Sequence, residues 1–331
     1  MKKKLALSIL TVCSLCVFGF THQTNAQEIL KIGGIMTTSG AAAHLGQTGL
    51  NGVMMKVDEV NAQGGITVGG KNYKIKLVNY DDKCVANDAI SAAQRLLNVD
   101  KVPAIVGAIC SHCTLAVMEI AEKKKIPIVC PLSGSVKVTS LGYKYIFRSW
   151  GHAGLHSEAI SRFAIETLKA KKIAFLGRND AWGRSAGDQL EKRLEKQGGE
   201  LIIKDFYEHG TTDFYSKLTK IKQARPDAIY FIALAEDGAM AVKQAREIGI
   251  TCTLLGTDEM ANEKVYGIAG DAMEGLYFYW NGGPPTDKAK EYAKKYKKDT
   301  ELNQLALTKA HTIQWAFCST PLRVLAQLRI A

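Results

Sequence analysis

Short runs rich in β-branched and apolar residues alternate with longer amphipathic runs along this chain, and the alternation happens twice. "ILKIGGIM", "YKIKLVNY", "VPAIVGAI" and "IPIVC" have the length and composition of strands. Between them lie "GQTGLNGVMMKVDEVNAQGG", "ANDAISAAQRLLN" and "CTLAVMEIAEKK", which carry helical periodicity, the first ending on a glycine stop. After "KYIFRSW" the series begins again. Strands "KKIAFLG", "ELIIKDFY", "DAIYFIAL" and "CTLLGTD" are separated by helical runs such as "WGRSAGDQLEKRLEKQGG" and "EDGAMAVKQAREIG". A repeated βα unit feeds parallel strands into a sheet covered by helices on both faces. Two such series predict two α/β lobes of similar build. In open sheets of this kind ligands bind beyond the carboxyl ends of the strands, so a cleft lined by strand-to-helix turns from both lobes is the expected site.

The first 26 residues read as an export signal. Lys2, Lys3 and Lys4 precede the apolar run "LALSILTVCSLCVFGF", which is short for a membrane span, and "TNAQ" places the small residue Ala26 at a cleavage position. Residues 1–26 are therefore expected to be removed, with the remainder acting in the periplasm. Six of the eight cysteines lie beyond Ala26. In an oxidising compartment some are expected to pair, although six in so long a chain do not make a disulfide scaffold. The net charge is +11, and Lys2, Lys3 and Lys4 account for three of it. The other basic residues are scattered over helical faces, which argues against a nucleic-acid partner.

Chemistry-bearing residues gather in "VGAICSHCT". It admits a redox pair, half a metal site, or a turn presenting donors to a ligand. Ser111 stands at the start of a helix, a favoured cap position, and free N–H groups there attract an anion. Cys110, Cys113, His152 and His156 form a C-x2-C and an H-x3-H, each with ligand spacing. The gap between the two pieces is not that of a zinc finger, and no metal or other cofactor is expected. No G-x-S-x-G, H-E-x-x-H or P-loop occurs.

Taken in order, "LKIGGIMTTSGAAAHLGQTGLNGVMMKVDEVNAQGGI", "VNYDDKC", "VGAICSHCT", "YKYIFRSW", "TTDFYSKLTKIKQARPDAIYF" and "AVKQAREIGIT" resemble the branched-chain amino-acid class of type I periplasmic binding proteins, from about Leu30 to Thr286. The resemblance implies a two-lobed solute receptor of an ABC importer, not an enzyme, with an ABC permease at the membrane as partner. Its ligand would be a small amino acid or a related carboxylate or amide. An exported hydrolase and a sensory solute-binding subunit are the competing functions. The implied lobes are 27–147 plus 256–331, and 148–255. The resemblance pairs Cys84 with Cys110, gives Ser111 to the ligand carboxylate and Asp258 to its ammonium, and takes a carbonyl from Leu132. Gly134 stands where a threonine is expected, and Ser133 or Ser135 would have to replace its hydroxyl. Trp182 matches an aromatic position of the cleft, and Trp150 is a candidate second aromatic face. Leu45 and Leu234 stand where many members carry aromatics. Members usually continue with a further helix, strands and a third crossing; "PLRVLAQLRIA" fits that part poorly, so a truncated C-terminal part is expected.

Overall fold

The structure, a computed structural model, describes residues 27–281 apart from 41 and 262, together with 286–287, 290–291 and 293–295. The expected signal and the expected C-terminal truncation both lie outside the described residues.

The first series folds as β1 (Glu28–Ile35), α1 (Ala43–Ala62), β2 (Ile66–Val68), β3 (Lys71–Tyr80), α2 (Ala86–Arg95), β4 (Ile105–Gly107), α3 (Ser111–Lys124), β5 (Ile128–Cys130), α4 (Lys137–Ser140) and β6 (Ile146–Arg148). Its strands lie in the order β2-β3-β1-β4-β5-β6. All neighbours are parallel except β2, which pairs antiparallel with β3. The second series gives α5 (Ala153–Arg162), β7 (Lys172–Arg178), α6 (Ala181–Gln197), β8 (Glu200–Tyr207), α7 (Tyr215–Ala224), β9 (Ala228–Ile232), α8 (Ala235–Glu247), β10 (Thr253–Gly256), α9 (Glu263–Ala269) and β11 (Leu276–Phe278). These strands form a second parallel sheet, ordered β11-β10-β9-β7-β8.

The apolar strand runs are continuous rather than alternating because both faces of each sheet are covered. In the second sheet Ile173, Phe175, Tyr230 and Leu255 pack into one core, while Ala174, Leu176, Ile229 and Leu254 pack into the other. The first sheet divides the same way, with Ile32 and Val106 on one face and Ile35 and Ile105 on the opposite one. This follows from the two-residue period of a strand.

One expected boundary is corrected. The segment after 256 was assigned to the first lobe, yet β11 pairs with β10 in the second sheet, with Leu254 opposite Leu276 and Gly256 opposite Phe278. A strand is placed by its ladder partners, and "LYF" finds them beside β10. The second unit therefore runs at least through Phe278.

Candidate functional site

A cavity lies between the two sheets. Its lining comprises Ala42, Leu45, Ile109, Cys110, Ser111, Leu132 and Gly134 from the first sheet's turns. Trp150 comes from the connection, and Arg178, Asp180, Trp182, Leu234, Asp258, Glu259 and Tyr279 come from the second. Almost all follow the carboxyl ends of β4, β5, β7, β9, β10 and β11, as open parallel sheets require.

Six of the seven residues expected to meet a ligand border this cavity: Ser111, Leu132, Gly134, Trp150, Trp182 and Asp258. Ser133 does not. It is fully buried, its Oγ lies 2.6 Å from Thr114 Oγ1, and it contacts the carbonyls of Ala108 and Ile109 at 3.3 Å. Its hydroxyl stitches the turn after β4 to the turn after β5, which removes it from ligand binding. Ser135 is absent from the lining as well. Its backbone N–H donates to Ser111 Oγ at 3.1 Å.

Ser111 also differs from its expected local role. Cys110 is the cap residue of α3, no side chain caps that helix, and Ser111 is its first residue. The hydroxyl thus accepts from the Ser135 N–H, while the start of α3 has no side-chain cap. A helix start in this condition favours an anion.

Across the cavity the start of α6 is closed. Asp180 Oδ1 accepts from the backbone N–H groups of Trp182 and Gly183, both at 2.9 Å. Gly183 permits the helix to press on the strand end: a Cβ there would lie 2.0 Å from the Arg178 carbonyl oxygen. Asp180 Oδ2 also takes a hydrogen bond from Arg178 Nε at 3.0 Å, and Arg178 reaches Asp237 at 3.3 Å. Burial opposes the Arg178 charge, but Asp180 and Asp237 outweigh it and hold its pKa above the usual value.

Asp258 is buried at the floor and accepts from Asn281 Nδ2 at 3.1 Å. The Asn281 carbonyl oxygen in turn lies 2.7 Å from His156 Nε2, and the His156 ring stacks on Tyr279 with centroids 4.0 Å apart. Burial lowers the pKa of His156, and its Nδ1 is buried without a partner. Burial, followed by the Asp258 charge, raises Tyr279 well above a phenol's usual range.

The cysteine turn resolves as well. Cys84 and Cys110 are bonded, 26 residues apart in sequence. His112 lies beside them, its Nε2 2.7 Å from the Cys84 carbonyl oxygen. Cys113 is buried, and it is free because Cys110 is bonded to Cys84 instead; burial first, and Asp82 second, push its thiol far up. His152 caps α5 by accepting from Gly154 N–H at 3.0 Å, and among the described residues no group of three or more His, Cys, Asp or Glu could hold a metal ion.

Sequence reasoning missed Arg178, Asp180, Glu259 and Tyr279. A signal existed for two of them: "KKIAFLGRND" ends a buried strand on charge, at the end where ligands bind. Tyr279 could not be found while β11 was unread.

Residues 29–316 match a protein family described as periplasmic binding protein. The chain is 27% identical over 263 residues to a leucine-, isoleucine-, valine-, threonine- and alanine-binding protein of Pseudomonas aeruginosa, covering 80% of this chain and 69% of that one. Among solved structures, LivJ of Streptococcus pneumoniae, a branched-chain amino acid transporter substrate-binding protein in complex with isoleucine, superposes with a TM-score of 0.74 at 26% identity and covers 87% of each chain. A solute-binding protein of an ABC transporter from Rhodopseudomonas palustris, in complex with 3,4-dihydroxybenzoic acid, superposes with a TM-score of 0.75 at 25% identity and covers 90% of this chain and 81% of that one.

Proposed function

Because the chain belongs to the periplasmic binding protein family, we propose that it is the exported solute receptor of an ABC importer, and that it binds a small amino acid with an apolar side chain. The observation that carries this reading is the division of labour in the cavity. One end offers neutral donors around Ser111; the other offers Asp258 and Glu259 as buried acids. A zwitterion satisfies both ends, and Leu45, Leu132, Leu234, Trp150 and Trp182 suit an apolar body between them. Ligand contacts from both sheets would favour the closed arrangement of two lobes, the form that docks on an ABC permease. Export fits the basic start, the apolar run and Ala26.

A thermal-shift screen of the chain from Gln27 tests the reading. L-leucine, L-isoleucine and L-phenylalanine are expected to raise the melting temperature, and benzoate, which has no ammonium, is expected not to. Asp258→Ala should weaken amino-acid binding more than tenfold, about 1.4 kcal/mol. Stabilisation by benzoate, with Asp258→Ala without effect, would move the ligand class to aromatic acids. Turnover of the bound compound would replace the receptor reading with an enzyme.

A further inference from the structure

The glycine at 134 has a visible counterpart. A Cβ on Gly134 would lie 2.6 Å from Trp182 Cδ1 and 2.8 Å from Trp182 Nε1. The pyrrole edge of the indole therefore fills the space that any side chain at 134 would occupy. The ring is held there by its helix start, since Asp180 fixes the Trp182 backbone N–H at 2.9 Å. Residue 134 is itself anchored, its carbonyl accepting from Ala153 N–H at 2.8 Å. Both residues border the cavity beside Ser111.

An indole Nε1–H can only donate, and Trp182 Nε1 appears in none of the hydrogen bonds among the described residues, although its backbone N–H is satisfied. The hydroxyls nearest in sequence to position 134 are not available as substitutes: Ser133 is tied to Thr114 at 2.6 Å, and Ser135 does not line the cavity. We propose that the indole N–H of Trp182 supplies the donor that a hydroxyl at position 134 would otherwise give. The ligand carboxylate is then held by Ser111 from the first sheet and by Trp182 from the second. This rests on the receptor reading and adds a residue that determines specificity. The negative end of the ligand, and not only its ammonium, links the two halves. A carboxylate thereby contributes to closure, and an uncharged replacement forfeits a bond to each half.

Isothermal titration with L-leucine and L-phenylalanine tests this on the unsubstituted chain and four variants. Trp182→Phe keeps an aromatic ring on Cβ and removes the N–H donor. It is expected to weaken binding about ten- to a hundredfold, the range for a lost hydrogen bond to a charged group. In 1H–15N spectra of the unsubstituted chain, the indole resonance absent from the Trp182→Phe spectrum should move downfield on titration. Gly134→Thr alone should bind poorly because the ring occupies the site; combined with Trp182→Ala it should bind more tightly than Trp182→Ala alone. Unchanged affinity in Trp182→Phe, or an indole resonance that stays put at saturation, overturns the inference while leaving the receptor reading intact. If the unsubstituted chain binds neither amino acid, the receptor reading falls and takes this inference with it.

Discussion

The two halves of the cavity are built from the same βα units and yet differ in charge. The first sheet's turns contribute no charged side chain to the lining, whereas the second sheet's turns contribute Arg178, Asp180, Asp258 and Glu259. The difference begins at two helix starts. Cys110 leaves α3 uncapped, and Asp180 closes α6 with two backbone hydrogen bonds. The same fold element is thus open at its start in one half and capped in the other. The excess of acid over base is confined to the second half. On the proposed reading, a ligand with separated charges would have one favourable orientation, with its carboxylate toward α3 and its ammonium toward Asp258.

The comparison is broken most severely at Arg178. Among the described residues its guanidinium is the only lining cation, its side chain is 6% exposed, and it bridges Asp180 and Asp237. Arg178→Met leaves the buried Asp237 and the half-buried Asp180 without their counter-charge. Removing one partner of a buried ion pair costs about 3–5 kcal/mol. Urea denaturation should show a loss of that order, and recovery on adding Asp180→Asn would locate the cost in the stranded acids. A loss below about 1 kcal/mol would mean that solvent reaches the group and that the charged half is not sealed.

Ser111→Ala sharpens the comparison from the neutral side. It deletes one donor and leaves the N–H groups of α3 in place, so affinity for an amino acid should fall about fivefold, near 1 kcal/mol. The loss should vanish for a ligand with no carboxylate. Because Ser111 Oγ also accepts from the buried Ser135 N–H, the free protein should lose about 1–3 kcal/mol in stability; a larger loss would make Ser111 a packing residue first.

These contrasts were only partly legible in the sequence. The strand and helix runs were readable because parallel strands buried on both faces are written as uninterrupted apolar stretches. Trp182 and Asp258 were readable because they stand in a recognisable order beyond strand ends. The charged half was harder to see. Asp180, in "GRND", looks like an ordinary helix cap, and it is one; that it also neutralises Arg178 depends on side-chain positions no periodicity encodes. Ser133 misled because a serine in a ligand loop is chemically apt, and its burial is decided by Thr114, which lies 19 residues earlier. β11 is hard to read because a three-residue strand carries almost no pattern, so nothing local opposes the boundary at 256 that the resemblance implies.

The smallest effect concerns His156, which stands behind Asp258 in the charged half. Its Nε2–H donates to Asn281, whose amide N–H donates to Asp258. Protonation would have to occur at Nδ1, which is buried and unpartnered. Burial, the largest influence, lowers its pKa from 6.5; the Asn281 hydrogen bond and the Asp258 charge oppose this without reversing it. The folded state therefore keeps the ring neutral where the unfolded chain takes up a proton. Stability from this group is complete above about pH 6.5 and drains away as pH falls through the folded value. His156→Gln preserves an N–H donor for Asn281 but cannot titrate. Melting temperatures recorded from about pH 7.5 down to about pH 5 should decline less steeply in the variant than in the unsubstituted chain. The corresponding Ser111→Ala curve should run parallel to that of the unsubstituted chain, since the neutral half adds no ionisable group to the cavity lining. Equal slopes for His156→Gln would show that the ring titrates freely, and the amide chain behind Asp258 would then be no firmer than the solvent around it.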